Sequence, residues 1–188
     1  MKLHLVRHGE TECNRMMIVQ GWVHTPLNFR GRGQAEELRR QLTDRKIDIN
    51  ALYSSDLLRA VQTAEILNQD LGLEIHLDPR LREVKRGIWN LQYIPEIREK
   101  YRKLWERWDS DPYNMRPPLG ESLKDAEKRI LDFVKDLKKF HGSRENILVV
   151  THRLLIVSFK SLFEGVKVSR DNFFDLMLNN AELYTIEI

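Results

Sequence analysis

The stretch LVRHGET, residues 5–11, ends an apolar run with an arginine, a histidine and a glycine. The residues that lead into it, Lys2–Val6, have the length and composition of a β-strand. Four further stretches share this character: Ala51–Tyr53, Ile75–Leu77, Ile147–Thr151 and Leu183–Ile188. Five predicted strands are enough to form the sheet of one domain.

Helical patterns separate these predicted strands. Apolar residues recur at helical spacing over residues 57–67 and again over residues 123–137. The second pattern follows Ser122, and Asp125 three residues later completes a variant of the capping box that starts helices. Because alternating strands and helices form a mainly parallel sheet with helices on both faces, we predict an α/β three-layer sandwich.

The segment at about 84–118 interrupts this alternation. It holds three of the four tryptophans, a helical pattern that begins around Pro95, and a proline-rich run, Asp109–Pro118, that is typical of a loop. We interpret Trp105 and Trp108 as packing residues of this segment. A chain of 188 residues has the length of one domain. We therefore predict a single domain, 1–188, with a small helical insertion that covers the active site as a lid.

Composition excludes several classes of protein. The hydrophobic fraction of 41% and the charged fraction of 31% are those of a globular protein, and a net charge of +3 does not indicate nucleic-acid binding. No apolar run approaches the roughly 20 residues that span a bilayer, and no signal-peptide core is present. Cys13, the only cysteine, cannot form an intramolecular disulfide. We expect a cytoplasmic protein with no membrane or nucleic-acid partner.

Arginine and histidine residues stand at or just after the ends of three predicted strands. Arg7 and His8 end the first strand, His152 follows the strand Ile147–Thr151, and Arg59 lies in the first turn of the helix after Ala51–Tyr53. Ligands of open parallel sheets bind beyond these carboxyl ends. Arginine forks match phosphate oxygens, and histidine serves as a nucleophile, an acid-base group or a metal ligand. The pattern favours a receptor for a phosphoryl group.

A set of short motifs extends from one end of the chain almost to the other: LVRHGET with Asn14, Gln20-Gly21-Trp22, Pro26-Leu27, Gly31 with Gln34-Ala35, Ser54–Ala60 with Gln62–Ala64, Leu81–Glu83 with Gly87 and Trp89, Gly120–Ser122 with Arg129, and Thr151-His152. In these stretches and in their order the chain resembles the histidine phosphatase superfamily, also called phosphoglycerate-mutase-like. Within the family it is similar to the short phosphatases, such as α-ribazole phosphatase and broad-specificity phosphatases.

The resemblance implies a phosphomonoesterase that hydrolyses a small phosphorylated metabolite without metal or cofactor. It implies that His8 accepts the phosphoryl group, that Glu83 protonates the leaving group, and that His152 is a further catalytic residue. The residues implied to bind phosphate are Arg7, Asn14 and Arg59, and those implied to bind the rest of the substrate are Gln20, Gly21 and Arg153.

Two departures from the family pattern keep alternatives open. Arg153 stands where the family usually has glycine, and its side chain either enters the site or points outward at the start of a helix. Asn90 and Gln92 replace a common Glu and Gly, which puts the lid geometry in doubt. One alternative is a 2,3-bisphosphoglycerate-dependent phosphoglycerate mutase, although those enzymes carry a longer insertion. A second is a phosphate-binding or regulatory member without catalysis. A homodimer is compatible with this sequence.

Overall fold

In the computed structural model, which describes residues 1–188, five strands form one sheet in the order β3-β2-β4-β1-β5. The strands are β1 (Lys2–Arg7), β2 (Ala51–Ser54), β3 (Ile75–Leu77), β4 (Asn146–Thr151) and β5 (Leu183–Glu187). Only β5 is antiparallel to its neighbour, so the mainly parallel sheet is confirmed. Each predicted strand is present with ends that differ by at most one residue.

Seven α-helices accompany the sheet, and none of them combines the length and hydropathy of a membrane span. They are α1 (Glu12–Arg15), α2 (Phe29–Asp44), α3 (Leu58–Leu71), α4 (Ile94–Lys100), α5 (Arg102–Ser110), α6 (Leu123–Phe140) and α7 (Arg153–Glu164). The predicted capping box at Ser122 and Asp125 starts α6.

Helices cover both faces of the sheet because its strands are apolar on both sides. In β4, Ile147 and Val149 pack in the core beneath α6 and α7, whereas Leu148 and Val150 pack in the core beneath α2 and α3. A central parallel strand that is buried on both faces reads as a continuous apolar run. The predicted three-layer α/β architecture is confirmed.

The insertion between Glu83 and α6 differs from the prediction in detail. Its helical pattern forms two helices, α4 and α5, because the backbone of Tyr101 leaves the helical region at φ −116° and ψ 36°. The predicted loop, Asp109–Pro118, begins two residues late, since α5 continues to Ser110. That helix carries Trp108 into the core, where its indole packs on Trp89 and Phe173.

Strand register brings the two predicted histidines together. Arg7 of β1 lies opposite Thr151 of β4, and the amide of His8 donates a hydrogen bond of 3.0 Å to the carbonyl of Thr151. Because the two strands are parallel neighbours, the next residue of each leaves the same edge of the sheet. His8 and His152 therefore lie side by side, with ring centroids 5.2 Å apart.

Candidate active site

A cavity of about 190 Å³ opens at this edge of the sheet, between the strand ends and the insertion. Of the predicted site residues, only His152 does not line it. Trp105 and Trp108 pack on each other, as predicted, but both also form part of the cavity wall. The charged residues that line the cavity are Arg7, Arg59, Arg86, Arg98, Arg153 and Glu83.

His8 is held with one ring nitrogen available for attack. Its Nδ1 lies 2.7 Å from the carbonyl oxygen of Gly9, which can only accept a hydrogen bond, so Nδ1 carries the proton. Arg59 Nε donates to His8 Nε2 over 3.2 Å, so Nε2 presents a lone pair. Burial, and then the charges of Arg59 and Arg7, hold the pKa of His8 well below its usual range. The imidazole is therefore neutral at physiological pH.

His152 lies behind His8 and is fully buried. Its Nε2 is 2.8 Å from Ser55 Oγ, and its Nδ1 has no hydrogen-bond partner in the protein. Burial, followed by the charge of Arg59, also lowers the pKa of His152 well below its usual range. Two neutral imidazoles thus adjoin each other at the base of the site.

Arg7 and Arg59 are anchored by backbone carbonyl groups. Arg7 Nη1 donates to the carbonyl of Leu178 over 2.8 Å, while its buried Nε has no partner. Arg59 donates to the carbonyls of Val23 and Gly21, each over 2.8 Å. Burial lowers the pKa of both arginines to about 10, so both stay charged at neutral pH. Neither guanidinium has a carboxylate partner, and both are ready to bind an anion.

The predicted polar residues present donors to the cavity. Asn14 Oδ1 accepts hydrogen bonds from the amide and hydroxyl of Thr11, and Gln20 Oε1 accepts from the hydroxyls of Thr11 and Thr25. Because each amide oxygen is engaged, each side chain is left with its NH₂ group to donate to a ligand.

Gly21 has a positive φ of 50°, a backbone conformation that favours glycine, and a Cβ there would press on the side-chain oxygen of Asn90. The resulting turn directs the Gly21 carbonyl at Arg59.

Glu83 sits at the N-terminus of α7, where unpaired backbone amides point out of the helix. Its Oε1 accepts hydrogen bonds from the amides of Val84, Leu154 and Leu155 at 2.8, 3.2 and 3.3 Å. Its Oε2 has only a longer contact, 3.4 Å, with the amide of Leu154. Since Oε1 is committed as an acceptor, a proton on this carboxyl group resides on Oε2.

Arg153 begins α7, and its side chain is exposed to solvent while it lines the cavity. It lies close enough to Arg7 for its charge to be the second cause, after burial, of the lowered pKa of Arg7. The geometry favours the interpretation in which Arg153 adds positive charge to the site.

Several site residues were missed by the sequence analysis. Asn180 donates from Nδ2 to the carbonyl of His8 over 2.9 Å, and Thr63 Oγ1 accepts from the amide of Gly9 over 3.0 Å. Arg86 is buried in the cavity wall against Trp89 and Trp108. Arg86 lies in a run of mixed charge, and nothing in its spacing sets it apart from exposed residues.

The two buried histidines are expected to make stability depend on pH. Both have a lowered pKa in the folded state and titrate near pH 6.5 when unfolded, so the unfolded chain binds more protons below that pH. Their contribution is complete above about pH 6.5 and is lost as the pH falls through the folded-state pKa values. We expect the free energy of unfolding to drop by up to about 2 kcal/mol per histidine between pH 7 and pH 5.

Denaturant unfolding at pH 7, 6 and 5 measures this dependence. His8→Ala and His152→Ala are each expected to reduce the loss of stability at low pH, whereas His24→Ala removes an exposed ring and leaves the loss unchanged. Equal pH dependence in all four proteins would contradict this assignment.

The fold and the site together define an α/β protein with an arginine-lined cavity at the carboxyl ends of its strands. The chain belongs to the histidine phosphatase superfamily (branch 1), whose family model matches residues 3–188. Within the 188 residues, no three or more His, Cys, Asp or Glu side chains are grouped so as to hold a metal ion.

Comparisons with individual proteins agree with this membership. The chain is 30% identical to phosphoserine phosphatase 1 of Hydrogenobacter thermophilus over 188 residues. The aligned region covers 100% of this chain and 87% of the relative. It is 31% identical over 153 residues to the adenosylcobalamin/alpha-ribazole phosphatase of Salmonella typhimurium, with coverage of 81% and 74%. A mycobacterial glucosyl-3-phosphoglycerate phosphatase solved with VO₃ superimposes with a TM-score of 0.88 at 29% identity, covering 98% and 91%. The predicted class of enzyme, a phosphatase, is confirmed.

Proposed function

We propose that the chain is a phosphomonoesterase that hydrolyses a small phosphorylated metabolite through a phosphohistidine on Nε2 of His8. The observation that carries the proposal is the pair of hydrogen bonds on that ring, with Gly9 at Nδ1 and Arg59 at Nε2. They fix a neutral imidazole with its lone pair beside a cationic cavity. A nucleophile of this kind needs no base to activate it.

In the first step, His8 Nε2 attacks phosphorus while the ester P–O bond breaks. Arg59 Nε leaves Nε2 and turns to a phosphoryl oxygen, and Arg7 and Arg153 neutralise charge on the other oxygens. The proton on Glu83 Oε2 passes to the departing alkoxide. The products of this step are the alcohol, the phosphohistidine and an ionised Glu83.

In the second step, water attacks the phosphohistidine and the P–N bond breaks. Glu83, now ionised, accepts the proton of the attacking water and returns to its starting form. The amides of Val84, Leu154 and Leu155 hold its other oxygen throughout, so the same carboxyl group faces the cavity in both steps. Relatives that are named phosphatases support water as the final acceptor.

Rapid chemical quench with radiolabelled phenyl phosphate, in buffer containing EDTA, tests the mechanism. We expect an acid-labile, base-stable label on the protein, and peptide mass spectrometry should place it on His8. His4→Gln is the matched control, because His4 is also buried but its ring is bound to Thr185 and Asn146.

Turnover without a label, or a label on another residue, would contradict the phosphohistidine. A requirement for added Mg²⁺ would contradict the metal-independent part of the proposal. Transfer of the label to a phosphoglycerate rather than to water would indicate the mutase instead.

A further inference from the structure

The cavity carries more positive charge than one phosphoryl group can neutralise. It is lined by five arginines, its one acidic residue is Glu83, and its histidine is neutral. A phosphomonoester brings a charge of about −1.5 to −2. Some arginines outside the cavity are ion-paired, as in Arg80–Asp78 and Arg82–Asp56. The lining arginines have no such partners, so the cavity is left with positive charge when phosphate is bound.

Arg86 is the most unusual of these arginines because it is both buried and unpartnered. Only 7% of its surface is exposed, yet its guanidinium makes no hydrogen bond or ion pair with the protein. Its Cζ lies 5.0 Å from the ring centroid of Trp89 and 4.7 Å from that of Trp108. The two indoles hold the side chain by cation–π contacts, which use its faces and leave its N–H donors unused.

Arg86 lies beside the phosphate-binding residues. Its Cβ is 3.4 Å from the position that a Cβ on Gly21 would occupy, and the Gly21 carbonyl accepts a hydrogen bond from Arg59. Arg86 also lies near Glu83, and burial lowers the pKa of Arg86 to about 10. The guanidinium therefore stays charged, on the insertion side of the same cavity that His8 lines.

We propose that Arg86 binds a second oxyanion on the leaving group of the substrate, so that the substrate class is a phosphomonoester bearing a further carboxylate or phosphate. This inference rests on the proposed function. Arg86 lines the cavity and its N–H donors have no acceptor in the protein, and a planar fork matches a carboxylate or phosphate with two parallel hydrogen bonds. Arg98, which stacks on Trp105 and lines the cavity, adds a second cation on the same side.

Three esters with the same chain length test this proposal: propyl phosphate, the phosphate ester of 3-hydroxypropanoate, and propane-1,3-diol bisphosphate. We expect the wild type to prefer at least one of the two charged esters over propyl phosphate in kcat/KM. Arg86→Gln should reduce this preference by about tenfold to a hundredfold, the effect of losing a charge-assisted bidentate contact. Arg86→Lys, which keeps the charge without the fork, should give an intermediate loss. The two charged esters also separate a carboxylate site from a phosphate site.

Lys85→Gln is the matched control. Lys85 is the adjacent residue, its ammonium also lies over an indole, 5.5 Å from Trp22, and its side chain is exposed outside the cavity. Its removal should leave the preference unchanged. An equal loss for all three esters in Arg86→Gln, or no preference in the wild type, would overturn the proposal while leaving the phosphatase intact.

A binding measurement separates this proposal from the chemistry. Butylphosphonate and 4-phosphonobutanoate are unreactive analogues that differ only in the carboxylate, and calorimetric titration gives the affinity of each. We expect 4-phosphonobutanoate to bind more tightly to the wild type, with its advantage reduced in Arg86→Gln. If no ester is hydrolysed but this difference persists, the proposed function fails and the second-anion site stands. Equal binding of the two phosphonates would exclude a carboxylate at Arg86.

Discussion

Replacing His8 by alanine is expected to lower kcat for phosphomonoester hydrolysis by at least about 10⁴-fold while the chain stays folded. The substitution removes the nucleophile, and loss of a covalent catalyst costs several orders of magnitude in rate. Stability should change by no more than about 2 kcal/mol. Although Arg59 loses one acceptor, it keeps its bonds to Gly21 and Val23. Phosphate release and the thermal unfolding midpoint measure the two effects.

The comparison variant is His24→Ala, which removes an exposed histidine that does not line the cavity. It should keep wild-type kcat. Residual activity in His8→Ala within tenfold of the wild type would mean that another group attacks phosphorus. A large fall in the thermal unfolding midpoint of His8→Ala would show instead that the His8 ring serves mainly to hold Arg59.

The sequence was sufficient to predict the residues at the strand ends. Each strand is a short apolar run, so its end is visible, and parallel strands deliver their ends to one edge of the sheet. That reasoning predicts that Arg7, His8, Arg59 and His152 lie together. Resemblance to the family added Glu83, Asn14, Gln20 and Gly21, and all four line the cavity.

Other parts of the site depend on contacts between distant segments, which spacing does not reveal. The helix break at Tyr101 could not be predicted, because no proline or glycine stands next to this residue. Arg86 lies in a run of mixed charge that is typical of an exposed surface, and it is buried because α5 brings Trp108 back onto Trp89. Asn180 reaches the carbonyl of His8 from a turn just before β5, more than 170 residues away along the chain. These roles follow from tertiary packing alone.

Glu83→Gln is expected to have an effect that depends on the leaving group. An alkoxide needs a proton as it departs, so kcat/KM for propyl phosphate should fall by about 10²- to 10⁴-fold, the usual contribution of general acid catalysis. Nitrophenolate is a much weaker base and leaves without protonation, so kcat/KM for 4-nitrophenyl phosphate should fall far less. The glutamine oxygen can still accept the backbone hydrogen bonds that Oε1 accepts in the wild type.

Pre-steady-state kinetics should expose the second role of Glu83. With 4-nitrophenyl phosphate the variant should form the phosphohistidine readily but lack the base that activates water. We therefore expect a burst of about one nitrophenol per enzyme followed by a slow steady state, whereas propyl phosphate should give no burst. Stopped-flow absorbance records the nitrophenol directly.

Glu121→Gln is the matched control for this experiment. Glu121 also accepts hydrogen bonds, from Arg129 and the amide of Lys85, but it lies outside the cavity. It should show no burst and no dependence on the leaving group. Equal losses for both esters in Glu83→Gln would mean that Glu83 only positions the start of α7, because a structural role cannot distinguish one departing oxygen from another. A burst confined to Glu83→Gln, together with a larger loss for propyl phosphate, would assign both proton transfers to Glu83, because the loss reports the departure of the alcohol and the burst reports the later attack of water.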